Sequence, residues 1–134
     1  MRTIVFAHDQ QESPEPRKHF LELAGYVVQL CATQAAMEAA LRQGPPPRLV
    51  LIDTLLEGRN GFEATQEISQ RMPERSFPIV LCSQIYRPRP FREEALRCGA
   101  QDYLLLPMAP HEFLRRVNQA IGSFVPPDAQ KAAA

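Results

Sequence analysis

Five short apolar runs, separated by longer amphipathic segments, constrain the fold of this 134-residue chain more than any other feature. Each run is rich in branched or aromatic side chains and is too short to be a buried helix, so we predict that each is a β-strand. Because the runs are apolar at nearly every position, the strands should be buried on both faces, which is typical of a parallel sheet covered by helices. The predicted strands are 3–7, 26–30, 49–52, 78–82 and 103–106.

The segments between these strands carry helix start and stop signals. Prolines and cap residues begin them, and glycines or prolines end them. The predicted helices start among 13–16 and run to 24, then cover 33–42, 62–71 and 92–98, and the last begins at 110. Five strands that alternate with five helices predict a doubly wound α/β fold. Right-handed crossovers favour a five-stranded parallel sheet in the order 2-1-3-4-5.

Composition excludes several other classes of protein. Lysine plus arginine equals aspartate plus glutamate at 15 each, so charge gives no argument for nucleic-acid or membrane binding. We find no signal peptide and no apolar run that could span a membrane. The cysteines Cys31, Cys82 and Cys98 lack C-x-x-C spacing, so we expect reduced core thiols and a cytoplasmic location. We predict one domain over 1–124 and a flexible tail or linker over 125–134.

Polar residues follow two of the predicted strands. His8 and Asp9 come directly after the first strand, and Asp53 ends the third. In doubly wound sheets, ligands bind beyond the carboxyl ends of the strands, where the strand order reverses. The sequence therefore predicts that these three residues share one cleft.

The strand-end segments, taken together, resemble those of the response-regulator receiver family, in which the chemotaxis regulators are found. The resemblance rests on 4–9, 49–61, 78–83 and 99–107, in this order and spacing, and it extends from residue 3 to about residue 124. It implies a flavodoxin-like receiver fold with a role in two-component signal transduction and phosphorelay. It also implies a cis peptide bond between Leu106 and Pro107.

The resemblance assigns a role to each matching residue. Asp53 stands where the family accepts a phosphoryl group, and Ser83 and Tyr103 stand at the positions that respond to it. The implied Mg²⁺ ligands are Asp9, Asp53 and the backbone carbonyl of Leu55. His8 is a further candidate ligand, although a hydrogen-bonded histidine at a strand end is the simpler interpretation.

Two residues depart from the family pattern. His8 replaces the first of two acidic residues, and Leu106 replaces the lysine that precedes Pro107. With one carboxylate missing, we expect Mg²⁺ binding to be weak. Counting Asp9, Asp53, a neutral His8 and Leu106 gives a pocket charge of −2. The family's three carboxylates and one lysine give the same total.

Two functions remain open within this resemblance. The first is an atypical receiver that acts by protein–protein interaction, with weak or absent phosphorylation at Asp53. The second is a working phosphoacceptor, which a histidine kinase phosphorylates with Mg²⁺. An enzyme on a similar fold is the third alternative, but the first strand is followed by no glycine-rich loop, and no Gly-x-Ser-x-Gly or HExxH motif occurs. We therefore predict that the chain is not an enzyme.

The family uses the surface of helix 4, strand 5 and helix 5 to bind protein partners. Here this surface carries Phe91, Tyr103, Arg115 and Arg116, together with a basic stretch before helix 4 formed by Arg87, Arg89 and Arg92. We expect a protein partner there, with a histidine kinase and a second copy of the chain as candidates. We expect no nucleic acid and no membrane.

Overall fold

Residues 2–9, 11–56, 59–84 and 88–126 are described by a computed structural model, with the backbone alone described at 88 and 89. Five strands form the main sheet: β1 Thr3–Ala7, β2 Val27–Cys31, β3 Leu49–Asp53, β4 Ile79–Ser83 and β5 Asp102–Leu105. The helices between and after them are α1 Glu15–Leu23, α2 Gln34–Gln43, α3 Gly61–Arg71, α4 Pro88–Cys98 and α5 Pro110–Ser123. Leu55–Leu56 and Arg59–Asn60 form a short antiparallel ladder outside the sheet.

The sheet is parallel throughout, and its strand order is β2-β1-β3-β4-β5. The predicted doubly wound fold and the predicted order are therefore confirmed. The sheet separates two apolar cores, because alternate strand residues point to opposite faces. Val50 and Ile52 pack on the side of α2, α3 and α4. Leu49 and Leu51 pack on the side of α1 and α5.

Most predicted elements differ from the observed ones only at their ends. Thr33 caps α2 as expected, since its side chain accepts the Ala36 N–H at 3.1 Å. The predicted start of α4 at Arg92 was wrong, because the helix begins at Pro88. Pro88 and Pro90 fall in its first turn, where the backbone N–H groups have no helical acceptor and proline is tolerated.

The C-terminal part of the chain follows α5. Val125 and Pro126 belong to no helix or strand. The rest of the tail predicted over 125–134 lies outside the described residues. Across the described ranges, no helix is both long and apolar enough to cross a membrane.

Candidate functional site

Asp53 ends β3 at the carboxyl edge of the sheet. By strand alternation its side chain points to the same face as Leu49 and Leu51, which is the face covered by α1 and α5. Asp53 lies opposite Cys82 in the pairing of β3 with β4, and only 5% of its surface is exposed. A buried carboxylate needs hydrogen-bond donors or a counter-ion, so its partners define the chemistry of this edge.

The counter-ion of Asp53 is Arg17, a residue that sequence reasoning missed. Arg17 Nη1 donates to Asp53 Oδ1 at 2.6 Å, and Nη2 donates to Oδ2 at 3.1 Å. The guanidinium also lies over the Phe6 ring, 4.5 Å from its centroid. The pocket charge of −2 was therefore incomplete, because it left out this cation, which binds the proposed acceptor directly, and the carboxylate of Glu12, which lines the adjacent cavity.

Arg17 comes from the buried face of α1. It precedes the buried Leu21 by four residues, so both side chains point towards the sheet. This four-residue spacing is the sequence feature that could have predicted the burial of Arg17. Burial alone would lower the pKa of Arg17, but its hydrogen bonds and charge interactions with Asp53 and Cys82 together outweigh burial, and the pKa is raised above its ordinary value. The guanidinium is thus charged at neutral pH.

Asp9 joins the same cluster through its backbone. Its N–H donates to Asp53 Oδ2 at 2.8 Å, while its own Oδ1 accepts the Gln11 N–H at 2.8 Å. His8 is half-buried, with Nδ1 3.2 Å from the Asp9 carbonyl oxygen and its ring edge against Phe6. The structure places His8 as a hydrogen-bonded residue at a strand end.

A small cavity of about 30 Å³ adjoins the cluster. The candidate residues Leu55 and Ser83 line it, and so does Leu106, which stands in place of the family lysine. The Ser83 carbonyl accepts the Leu106 N–H at 2.7 Å, and the predicted cis bond between Leu106 and Pro107 is confirmed. The full lining is Asp9, Glu12, Asp53, Thr54, Leu55, Cys82, Ser83, Gln84 and Leu106.

Tyr103 does not line this cavity. Its ring is buried on the opposite face of the sheet, where it stacks with Phe62 at 6.1 Å between centroids. Phe62 in turn packs against Phe91 of α4. The structure therefore separates the two residues assigned to the switch, with Ser83 at the cavity and Tyr103 beneath α4.

Gly61 lets α3 start close to the acceptor. A Cβ atom there would lie 2.4 Å from the Asp53 carbonyl oxygen, so only glycine fits without a shift of the backbone. The Gly61 N–H donates to the Thr54 carbonyl at 2.7 Å, and the Asn60 side chain caps the helix by accepting the Phe62 N–H. The Asn-Gly pair thus fixes the loop that follows β3.

While Arg17 holds Asp53, the implied Mg²⁺ does not fit this arrangement. Both Asp53 oxygens already accept hydrogen bonds from Arg17, and one also accepts the Asp9 N–H. Among the described residues, which omit 10, 57 and 58 near this edge, no three acidic, histidine or cysteine side chains are grouped to hold a metal. A cation is present at Asp53, but it is a guanidinium.

The surface of α4, β5 and α5 carries a second charge cluster. Asp102 is buried, and it accepts hydrogen bonds from Arg92 at 2.7 Å and from Arg116 at 2.6 and 2.7 Å. Arg115 is exposed and pairs with Glu112 along the helix. The expected basic stretch before α4 needs correction, because Arg89 and Arg92 lie within the helix. Arg87 lies outside the described residues.

The cysteines and the two helical histidines are the remaining candidates, and of these Cys82 adjoins the Asp53 cluster. All three cysteines are buried and unbonded to one another, as expected. Cys82 lines the cavity, and burial raises the pKa of its thiol to about 12, so it is a neutral core residue. His19 and His111 are exposed on α1 and α5.

Residues 4–118 match the sequence model of the response regulator receiver domain. The chain belongs to this family. The resemblance predicted from the strand ends is therefore confirmed, and the chain is a receiver domain of two-component signalling. An uncharacterized 14.6 kDa protein of Leptolyngbya boryana is 29% identical over 126 residues, which cover 94% of each chain.

Longer relatives contain such a domain as one part. The transcriptional regulatory protein AruR of Pseudomonas aeruginosa is 35% identical over 123 residues, which cover 88% of this chain but 48% of AruR. The chain thus spans about half the length of that regulator. A solved receiver domain of a sensor histidine kinase from P. aeruginosa PAO1 matches with a TM-score of 0.78 and 26% identity. The match covers 91% of this chain and 98% of that one, which holds a magnesium ion in its active-site cleft.

Proposed function

We propose that this receiver domain acts mainly by protein–protein interaction, with weak or absent phosphorylation at Asp53. The observation that carries the proposal is the bidentate bond from Arg17 to Asp53, at 2.6 and 3.1 Å, in a pocket whose lysine position holds Leu106. The acceptor carboxylate is neutralised from inside the domain. The domain has no need of a phosphoryl group or a metal to balance that charge.

Phosphoryl transfer to a carboxylate makes two demands on a site. The nucleophilic oxygen must be able to reach phosphorus, and cations must neutralise the charge on the transferring group. Here both oxygens of Asp53 are held by Arg17, and among the described residues no lysine or arginine lines the adjacent cavity. The cation of the site therefore stabilises the unmodified carboxylate instead of the incoming phosphoryl group.

The proposal keeps weak Mg²⁺ binding at this edge. A similar receiver holds magnesium in its cleft. This chain keeps Asp9 and Asp53 but has lost one carboxylate at His8, and Arg17 competes for the oxygens that remain. Hard oxygen ligands are what Mg²⁺ requires, so each engaged oxygen weakens its binding.

Partner binding is proposed for the surface formed by α4, β5 and α5. Arg115 is exposed there, and Phe91 is partly exposed. Arg116 is less suited to contact a partner, because it holds the buried Asp102. Aromatic and arginine side chains are enriched at protein interfaces, which favours a protein as the ligand. The domain then signals through this surface and catalyses no reaction.

A working phosphoacceptor is the second candidate. It is favoured by the position of Asp9, Asp53 and Ser83 around one cavity at the carboxyl edge of the sheet. In that case a histidine kinase would be the partner, and Arg17 would have to leave Asp53 before transfer.

Intact-mass measurement after incubation with a small acyl phosphate and Mg²⁺ tests the proposal. Wild type should gain little or no phosphoryl mass, and Asp53→Asn should gain none. A variant with both His8→Asp and Leu106→Lys should label more than wild type, because it restores a carboxylate and a cation at the cavity. Efficient labelling of wild type that is lost in Asp53→Asn would favour the working phosphoacceptor.

A further inference from the structure

We infer that Arg17 is the resident counter-ion of Asp53 and takes the place of a divalent cation, so that the acceptor carboxylate stays closed to Mg²⁺ while the pair is formed. The inference rests on the proposed function and deepens it, because it names the residue that closes the site. No resemblance assigns a role to Arg17. The role follows from its contacts.

Arg17 is built into the pocket and is not a surface residue that happens to reach it. Its side chain is 10% exposed and that of Asp53 is 7% exposed. The neighbouring pair on the same helix, Lys18 with Glu22, is 27% and 47% exposed. The aromatic face of Phe6 supports the guanidinium from below at 4.5 Å. Two hydrogen bonds and a ring face fix its orientation.

Arg17 and Mg²⁺ compete for the same oxygen atoms. Mg²⁺ needs carboxylate oxygens with free lone pairs, and it keeps several of its waters. The cavity that the described residues leave beside Asp53 is small, at about 30 Å³. An ion that enters it must compete with Arg17 for the Asp53 oxygens, and two cations at one carboxylate repel each other.

Leu106 explains why the pocket accepts Arg17. A lysine at this position would bring a second positive charge to the same cavity. Leucine brings none, and it also lines a neighbouring groove of about 340 Å³ together with Arg17, Phe20 and Met108. This groove gives the guanidinium a place to go when it leaves Asp53. The loss of lysine and the presence of Arg17 thus form one arrangement.

Calorimetric titration with MgCl₂ tests the inference on four proteins: wild type, Arg17→Gln, Arg17→Lys and Lys18→Gln. Arg17→Gln should bind Mg²⁺ at least about tenfold more tightly than wild type, because one positive charge has left the site. Lys18→Gln lacks a charge on the exposed side of the same helix, so it should behave as wild type. Arg17→Lys keeps the charge and should stay closer to wild type than Arg17→Gln does.

A folded Arg17→Gln that binds Mg²⁺ no better than wild type would overturn the role of Arg17. If Arg17→Gln does not fold, nuclear magnetic resonance of wild type decides the question. The Arg17 Nε–H signal should persist unchanged as Mg²⁺ is added, and its shift or loss at low Mg²⁺ concentration would refute the inference. These outcomes are separate from the labelling experiment, since efficient labelling of wild type would overturn the proposed function itself.

Discussion

Replacing Asp53 with alanine should destabilise this domain strongly. The substitution leaves the guanidinium of Arg17 in a site where it is 10% exposed and has lost both carboxylate bonds. Removing one partner of a buried ion pair typically costs about 3–5 kcal/mol, because the remaining charge is buried without compensation. For a domain of this size the loss corresponds to a fall in melting temperature on the order of 10 °C.

The sign of this effect makes the experiment informative. In a pocket governed by repulsion between Asp9 and Asp53, removing one carboxylate would relieve the repulsion and raise stability. In a pocket governed by the pair with Arg17, the same change lowers stability. The direction of the change therefore reports which arrangement exists in solution.

A double-mutant cycle in urea, followed by far-ultraviolet circular dichroism, measures the pair itself. Asp53→Ala and Arg17→Ala should each lower the free energy of unfolding, and the double variant should lose less than the sum, by at least about 1 kcal/mol. Lys18→Ala is the matched control, and it should change stability by no more than about 0.5 kcal/mol because its ion pair is exposed. Additive effects, or a gain in stability from Asp53→Ala, would refute this reasoning.

Three further predictions concern other parts of the domain. Burial alone would raise the pKa of Asp102, but hydrogen bonds from its two arginine partners lower the pKa overall. The ionised carboxylate therefore stabilises the fold above its unfolded pKa of about 4, and this stabilisation is lost in acid. Urea titrations at several pH values should show a weaker loss of stability in acid for Asp102→Asn than for wild type. Gly61→Ala should cost about 1–3 kcal/mol, since its Cβ would meet a backbone carbonyl at 2.4 Å, whereas Gly122→Ala, which meets nothing within 4 Å, should be neutral or stabilising by up to about 1 kcal/mol in the same assay. Arg115→Glu should weaken the retention of proteins that wild type captures from lysate, and it should leave the melting temperature unchanged. Arg116→Glu should lower the melting temperature, and a loss of stability in both variants would contradict this division of roles.

The sequence predicted the sheet well because the signal was local and strong. Runs such as Leu49–Asp53 are apolar on both faces, which only a covered parallel strand explains easily. The parallel order then brought Asp9 and Asp53 to one edge, since the carboxyl ends of neighbouring parallel strands meet there. These inferences needed only periodicity and topology.

The partner of Asp53 could not be predicted in the same way. Arginine near the start of a helix is ordinarily a solvated residue, and nothing in the composition of the surrounding segment marks Arg17 as buried. The helical spacing from Leu21 placed it on the inner face, but only the packing of α1 over Phe6 shows that it reaches Asp53. A charge count over motif residues alone was therefore bound to miss the cation that decides the chemistry.

The central claim is that Arg17 occupies both carboxylate oxygens of Asp53 and so hinders its phosphorylation. A crystal structure of the wild-type protein tests this claim most directly. The crystals would be grown with Mg²⁺ and beryllium fluoride, a small mimic of a phosphoryl group. The account predicts that Arg17 remains bonded to both oxygens of Asp53 and that no beryllium fluoride group forms on Asp53. A beryllium fluoride group on Asp53 with a metal beside it, and Arg17 withdrawn into the groove near Phe20, would contradict the account.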